Sequence, residues 1–315
     1  MGERKITTLV SDEMILDIGR EAISYLTSGE FVLEIHERRD REVLRTINVV
    51  KYRGGDAHVG RHYFEITKQG IVVYPIIPNS FEVKPRERFS SGNANLDSLI
   101  GPLYTNSTIM ITGKSGVGKT NTSLQFLLEN DRNGKVGILY TFEEDEDEIR
   151  RRYKDLFNYT PKKIVIKKLS PYNLKIGKFY NIIENDVLSL NPSLIVIDSI
   201  NILGRTVLMK EELERLLYFI QILSRSNSVT LILIHELLDS VDVFQYSGGL
   251  SHFADYIILG RHVEMEGELL KAIYTIKNRF GDHERSARIV EFKKGLEVGK
   301  PLEDYKGIIS GHYTY

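Results

Sequence analysis

From residue 108 onward the chain is punctuated by short, unbroken apolar runs. They are TIMITG (108–113), VGILYTF (136–142), KIVIKKL (163–169), LIVIDS (194–199) and VTLILIH (229–235). Each is of strand length without the apolar–polar alternation of a half-solvated strand, as expected where helices cover both faces of a sheet. Between them KTNTSLQFLLEN, KFYNIIENDVLSL and EELERLLYFIQILS carry apolar residues at helical spacing. The pattern predicts an α/β fold with a doubly wound, mostly parallel sheet. After residue 255 the helical pattern stops, and YIILGR, LLKAIYTIKNR and RSARIVEF read as consecutive antiparallel strands. Residues 1–85 are strand-rich too, and IPNSFEVKPRERFSSG (77–92), with two prolines and mixed charge, reads as a linker. The expected organisation is a small β-rich segment, 1–85, ahead of an α/β domain, 86–315.

The first unbroken strand runs into GKSGVGKT, which fits G-x-x-x-x-G-K-[ST] between a strand and a helix. The loop comprises Gly113, Lys114, Ser115, Gly116, Val117, Gly118, Lys119 and Thr120 and is followed by Asn121. Its glycines let backbone N–H groups wrap phosphates, at a helix N-terminus whose dipole favours anions. Lys119 is expected to reach the β- and γ-phosphates of ATP, and Thr120 to bind Mg²⁺ through its hydroxyl. Asp198 ends the strand LIVID, where an aspartate holds the shell of that Mg²⁺; by itself it is equally a helix cap. FEEDEDE (142–148) is mostly a solvated acidic face, but Glu143 and Glu144 sit at the carboxyl end of a buried strand, where catalytic groups collect in open α/β sheets. A carboxylate there can orient and deprotonate an attacking water. His235 and Glu236 end the strand LILIHE, in a place to sense a γ-phosphate or, for the histidine, simply to pack.

Composition narrows the setting. Net charge is −1 over 315 residues, so no global field favours nucleic acid or an acidic membrane surface. With no cysteine, disulfides, thiolate metal sites and cysteine nucleophiles are excluded together. No apolar run reaches the length of a membrane span, and MGERKITTLVSDEM lacks the regions of a signal peptide, which points to a cytoplasmic protein.

One motif is written twice. KYRGGDAH (51–58) and KNRFGDHE (277–284) share Lys-x-Arg-x-Gly-Asp, with Lys51 and Lys277 226 residues apart. Each is preceded by an apolar strand pattern and followed by another that closes on a glycine, Gly70 or Gly295. Residues 28–75 are therefore expected to fold as antiparallel strands in the order of 253–298, leaving apolar strand surface and sheet edges to cover. Subtracting the period from the phosphate loop places a matching first loop before residue 1. The chain is thus expected to hold the final strands of one module followed by a complete second one.

Together the phosphate loop, the Phe-Glu-Glu turn and the KNRFGDH ending resemble the KaiC-like branch of the RecA superfamily of ATPases. FSSGNANLDSLIG (89–101) is similar to that family's lead-in, with Leu96 and Asp97 in register, and YKGIISG (305–311) resembles its tail. The resemblance implies a RecA-type P-loop core that binds and hydrolyses Mg-ATP, with Glu143 and Glu144 as the catalytic pair. It implies a homo-oligomer, a hexameric ring, in which Lys277 and Arg279 are fingers reaching the nucleotide of a neighbouring subunit. It also likens 28–75 to the end of a first KaiC module, with Lys51 and Arg53 at the finger positions. Three departures stand out: SLIGPLYTNST replaces a glycine-rich turn, Asp145 follows the Glu pair where Ser or Thr is usual, and the family's paired phosphoacceptors align with Ser251 and His252. With one hydroxyl left, a two-site phosphorylation cycle is not expected.

Competing readings remain at this stage. The leading one is a ring-forming ATPase whose nucleotide state controls an unidentified protein partner. A DNA-binding recombinase paralogue requires basic loops, yet NILGRTVLMKEE (201–212) and LLDSVDVFQYSGGLS (237–251) hold only Arg205 and Lys210 against Glu211, Glu212, Asp239 and Asp242. A nucleotide-binding assembly factor with little turnover is the third.

Overall fold

The computed structural model describes residues 7–11, 24–37, 43–55, 60–74, 84–172, 174, 176–205, 210–237, 249–265 and 267–302. The chain divides into two compact units, 1–77 and 78–315.

In the first unit β1 (Gly29–Glu37), β2 (Val43–Tyr52), β3 (Gly60–Thr67) and β4 (Gly70–Tyr74) form an antiparallel sheet in the order β1-β2-β3-β4. Strand alternation sorts its faces. Phe31, Leu33 and Ile35 of β1 lie on one face with Ile66 and Ile71, all exposed. The other face carries the ion pair of Glu34 with Arg61 at 3.0 Å and the bond from the Tyr74 hydroxyl to Glu65 at 3.0 Å.

The second unit comprises, in chain order, α1 (Ala94–Ile100), β5 (Thr108–Gly113), α2 (Lys119–Arg132), β6 (Gly137–Thr141), α3 (Glu146–Phe157), β7 (Ile164–Lys168), α4 (Ile176–Leu190), β8 (Leu194–Asp198), α5 (Ile200–Arg205), α6 (Lys210–Ser226), β9 (Thr230–Glu236), β10 (Tyr256–Met265), β11 (Glu268–Asn278), β12 (Arg288–Phe292) and β13 (Leu296–Pro301). Its sheet runs β13-β12-β11-β10-β5-β9-β8-β6-β7. β5 to β9 are parallel, β10 joins β5 in parallel, and β10 to β13 form an antiparallel meander. The α/β architecture expected from the pattern of runs, a mostly parallel sheet extended by antiparallel C-terminal strands, is what the chain adopts, and it is consistent with the RecA-type core that the resemblance implies. All residues of β5 and β6 are buried, which is why their sequences show no alternation.

Residues 84–92, the second half of the stretch expected as a linker, belong to this unit. The Asn106 amide donates to the carbonyls of Lys84 and Pro85 at 3.0 and 2.8 Å, and Arg86 stacks over the Phe280 ring at 4.7 Å. Prolines and charge mimicked a solvated spacer, but the backbone polar groups are satisfied by an asparagine far along the chain. The lead-in then forms α1: Asn93 caps it by accepting from the amides of Asn95 and Leu96, and Leu96, Leu99 and Ile100 are fully buried.

The two meanders correspond in detail. Pairing of β1 with β2 passes from Glu30↔Lys51 to Phe31↔Val49 and skips Val50. Pairing of β10 with β11 passes from Ile257↔Lys277 to Ile258↔Thr275 and skips Ile276. The ammonium of Lys51 donates to the Ser24 carbonyl, as that of Lys277 donates to Ser251 at 2.8 Å. The amide of Arg53 bonds the Ser28 carbonyl at 2.7 Å, as that of Arg279 bonds Asp255 at 3.0 Å. Asp56 of the first motif and the tail 305–311 lie outside the described residues, as does most of the second loop weighed for DNA binding.

Candidate active site: the phosphate loop and its carboxylates

β5, β9, β8 and β6 stand side by side, so their carboxyl ends bring the candidate residues to one edge of the sheet. Gly113 is level with Glu236, Thr112 with His235, and Thr141 with Asp198. From Gly113 the loop turns into α2, whose N-cap is Gly118 with φ 95°. A side chain at Gly118 would run into the Phe292 ring, so conformation and space both require glycine there.

Inside the loop the Lys119 ammonium donates to the Lys114 carbonyl at 2.8 Å. Burial lowers its pKa, against the opposing charges of Glu236, Asp198 and Glu143. The Thr120 hydroxyl donates to Asp198 at 2.6 Å. Asp198 is pushed up to about 6, mainly by burial and further by Glu143 and Glu144, while the Thr120 hydrogen bond and Lys119 pull it down. The carboxylate is therefore under strain from its own surroundings, and a cation beside it would relieve that strain. Asn121, in the first turn of α2, buries its side-chain oxygen without a hydrogen-bond partner among the described residues. Among the described residues no three His, Cys, Asp or Glu side chains form a metal cage. One hydroxyl and one carboxylate nevertheless fit Mg²⁺, which takes few protein ligands and completes its shell with phosphate oxygens and water.

The two glutamates have different surroundings. Phe142 N bonds the Asp198 carbonyl at 3.1 Å, and Glu144 N bonds the Thr141 hydroxyl at 3.2 Å, so the turn hangs beside Asp198. Glu143 is exposed, its charge acts on Lys119 and Asp198, and its carboxylate has no hydrogen-bond or ion-pair partner among the described residues. Glu144 is held by the two terminal guanidinium nitrogens of Arg152. Asp145, Glu146 and Glu148 are engaged at the start of α3. Glu148 accepts from Asp145 N at 3.0 Å, Lys168 pairs with Asp145 at 2.6 Å, and Arg150 with Glu146 at 2.7 Å.

His235 is buried, and its Nδ1 lies 3.2 Å from the Thr112 hydroxyl. Burial, with the nearby Lys119 charge, lowers its pKa to about 4, so the ring is neutral at physiological pH. The neighbouring Glu236 is, with Asp198 and Glu143, one of three carboxylates whose charge reaches Lys119. Asn201 clasps Glu236 by accepting from its amide at 2.6 Å and donating to its carbonyl at 2.8 Å.

Lys277 and Arg279 lie elsewhere. Lys277 is level with Ile257, near the start of β10 and three residues before Gly260, which pairs with Gly113 of the loop. At about 3.3 Å per residue, three residues of strand separate the two levels by about 10 Å. Both cations turn further away. Lys277 donates to the Ser251 carbonyl. Arg279 donates to the His252 carbonyl at 3.1 Å and pairs with buried Asp255 at 3.4 Å. Asp255 also accepts from Arg225 at 3.1 Å and from Thr108 N at 2.9 Å. Within one chain the structure brings Lys119, Thr120, Asp198 and Glu143 together and leaves Lys277 and Arg279 at the other edge.

The family description "ATPase: KaiC" matches residues 1–77 and 89–303. The chain belongs to the KaiC ATPase family. Among its relatives, the circadian clock protein KaiC3 of Synechocystis sp. is 27% identical over 335 residues, covering 100% of this chain and 64% of the relative. The circadian clock oscillator protein KaiC of Acaryochloris marina is 26% identical, covering 98% and 61%, and that of Picosynechococcus sp. is 28% identical, covering 98% and 62%. The chain thus spans less than two thirds of the length of these relatives. Membership makes it a P-loop NTPase of KaiC type, and no helix among the described residues is long and apolar enough to cross a membrane. Arg152, Asn201 and Asp255 escaped the sequence reading because none belongs to a motif.

Proposed function

We propose that this KaiC-family chain binds Mg-ATP at residues 113–121 and hydrolyses it, with Glu143 as general base. The reading rests chiefly on the Thr120–Asp198 hydrogen bond of 2.6 Å beside the phosphate loop, with the Glu143 carboxylate, unpaired among the described residues, acting on Asp198. Backbone amides from Gly113 to Thr120 wrap the phosphates, and Lys119 turns from the Lys114 carbonyl to the β- and γ-oxygens. Thr120 and Asp198 would hold Mg²⁺, which when bound neutralises phosphate charge. Glu143 orients a water in line with the γ-phosphorus and takes its proton as the oxygen–phosphorus bond forms and the bridging β–γ bond breaks.

The finger residues act across a subunit boundary in this proposal. Their own loop lies at the start of β10, about 10 Å below the level of the phosphate loop, so Lys277 and Arg279 serve a nucleotide on another copy, in a ring of six as the family resemblance implies. Cations at a neighbour's γ-phosphate stabilise charge in the transition state and couple hydrolysis to assembly. The nucleotide state then controls a protein partner. Residues 28–75 represent the end of a first module; the matching bulges at Val50 and Ile276 and the paired Lys51 and Lys277 anchors support this. Light-scattering mass with and without Mg-ATP, alongside phosphate release, tests the proposal. It requires a larger assembly with nucleotide, and turnover that needs Mg²⁺.

A further inference from the structure

Of the two adjacent glutamates at the site, one is gripped and the other is not. Arg152 stands on α3, eight residues beyond Glu144; its Nη1 donates to Oε1 at 3.0 Å and its Nη2 to Oε2. This fork occupies both carboxylate oxygens in the geometry that favours arginine over lysine. The fork is also rigidly presented. On the same helix Ile149 and Tyr153 are buried, and the Tyr153 hydroxyl bonds the Leu124 carbonyl of α2 at 3.3 Å. Neighbouring acids do not compete for the guanidinium, because Asp145 and Glu146 pair with Lys168 and Arg150.

We propose that Arg152 is a positioning residue that withdraws Glu144 from proton transfer, leaving Glu143 as the sole base of the pair. A base must aim an oxygen lone pair at the attacking water. In Glu144 the oxygens are committed to the guanidinium, whereas Glu143 has no such partner among the described residues. The same fork fixes the turn between β6 and α3, so Glu143 is aimed by the pairing of its neighbour. This inference deepens the ATPase reading and rests on it.

The test is a set of full-length variants compared by phosphate release, with ATP affinity measured for each. Glu143→Gln should lower turnover by about 10²- to 10⁴-fold, the usual worth of a general base, and Glu144→Gln by less than about tenfold. In Glu143→Gln/Arg152→Ala the released Glu144 takes over, and turnover should rise at least about tenfold above Glu143→Gln alone. Adding Glu144→Gln to that pair should abolish the gain. Arg152→Lys in the Glu143→Gln background should fall between, since one ammonium cannot fork two oxygens, and it serves as the second comparison if Arg152→Ala fails to fold. The proposal is overturned if Glu143→Gln/Arg152→Ala, or the lysine variant in its place, stays at the Glu143→Gln level with ATP affinity intact. It is equally overturned if Glu144→Gln alone is as damaging as Glu143→Gln. Wild-type turnover in Glu143→Gln/Glu144→Gln is a separate failure, which removes the general-base reading and this inference with it.

Discussion

Asp198→Asn should stabilise the nucleotide-free protein at neutral pH while disabling its chemistry. The Asp198 carboxyl titrates at about 6 in the folded chain against 3.8 for the free group, chiefly because it is buried, with Glu143 and Glu144 adding to the rise. A raised folded-state pKa means that the native protein binds the proton more tightly than the unfolded chain. The associated stability is fully present below pH 3.8 and lost as pH rises through about 6. At 1.36 kcal/mol per unit the loss amounts to about 3 kcal/mol in full, of which about 2 kcal/mol falls between pH 4.5 and 7.5. Asparagine keeps the acceptor for the Thr120 hydroxyl and carries no charge at any pH. The difference in unfolding free energy, Asp198→Asn minus wild type, should therefore grow by about 2 kcal/mol from pH 4.5 to 7.5. Urea unfolding followed by circular dichroism at 222 nm reads it, since α1 to α6 all lie in the second unit. The same variant should lose Mg²⁺-dependent hydrolysis. A difference that is flat across this range, or that grows as pH falls, would refute the claim that the site holds Asp198 under electrostatic strain.

Two further outcomes follow from the same geometry. Lys119→Ala should abolish ATP binding without unfolding the chain, because the ammonium rests on the Lys114 carbonyl and fills no core position; unchanged affinity in a calorimetric titration would remove the phosphate-loop assignment. Mixing Lys119→Ala chains with Lys277→Ala/Arg279→Ala chains should recover part of the activity that each lacks, since some interfaces combine an intact loop with intact fingers. If assembly is verified and no mixture regains turnover, the fingers do not act in trans.

The fold was legible wherever burial on both faces writes an unbroken apolar run. TIMITG is β5 to the residue, and LIVIDS and VTLILIH fall within a residue of β8 and β9. The phosphate loop was legible because its glycine spacing follows from backbone geometry. Partnerships across the fold were not. Nothing in FEEDEDE tells Glu143 from Glu144; the distinction comes from Arg152, brought round by a helix docked on α2. The sequence left His235 open between sensing a phosphate and packing; its ring is buried against Thr112 at the end of its strand. Asp255 has no motif, and its role in holding Arg225 and Arg279 appears only when three segments converge. The repeat was legible as spelling, and its skipped residues, Val50 and Ile276, required coordinates.

The central claim is that this chain hydrolyses ATP with Glu143 as base at a site closed by Thr120 and Asp198. Phosphate release from Mg-ATP by wild type and by Glu143→Gln, at saturating nucleotide and with bound ATP quantified, tests it most directly. The wild type should release phosphate steadily, and the variant should retain ATP with release reduced by about 10²-fold or more. Equal release by the two proteins, or bound ATP with no release by the wild type, would contradict it.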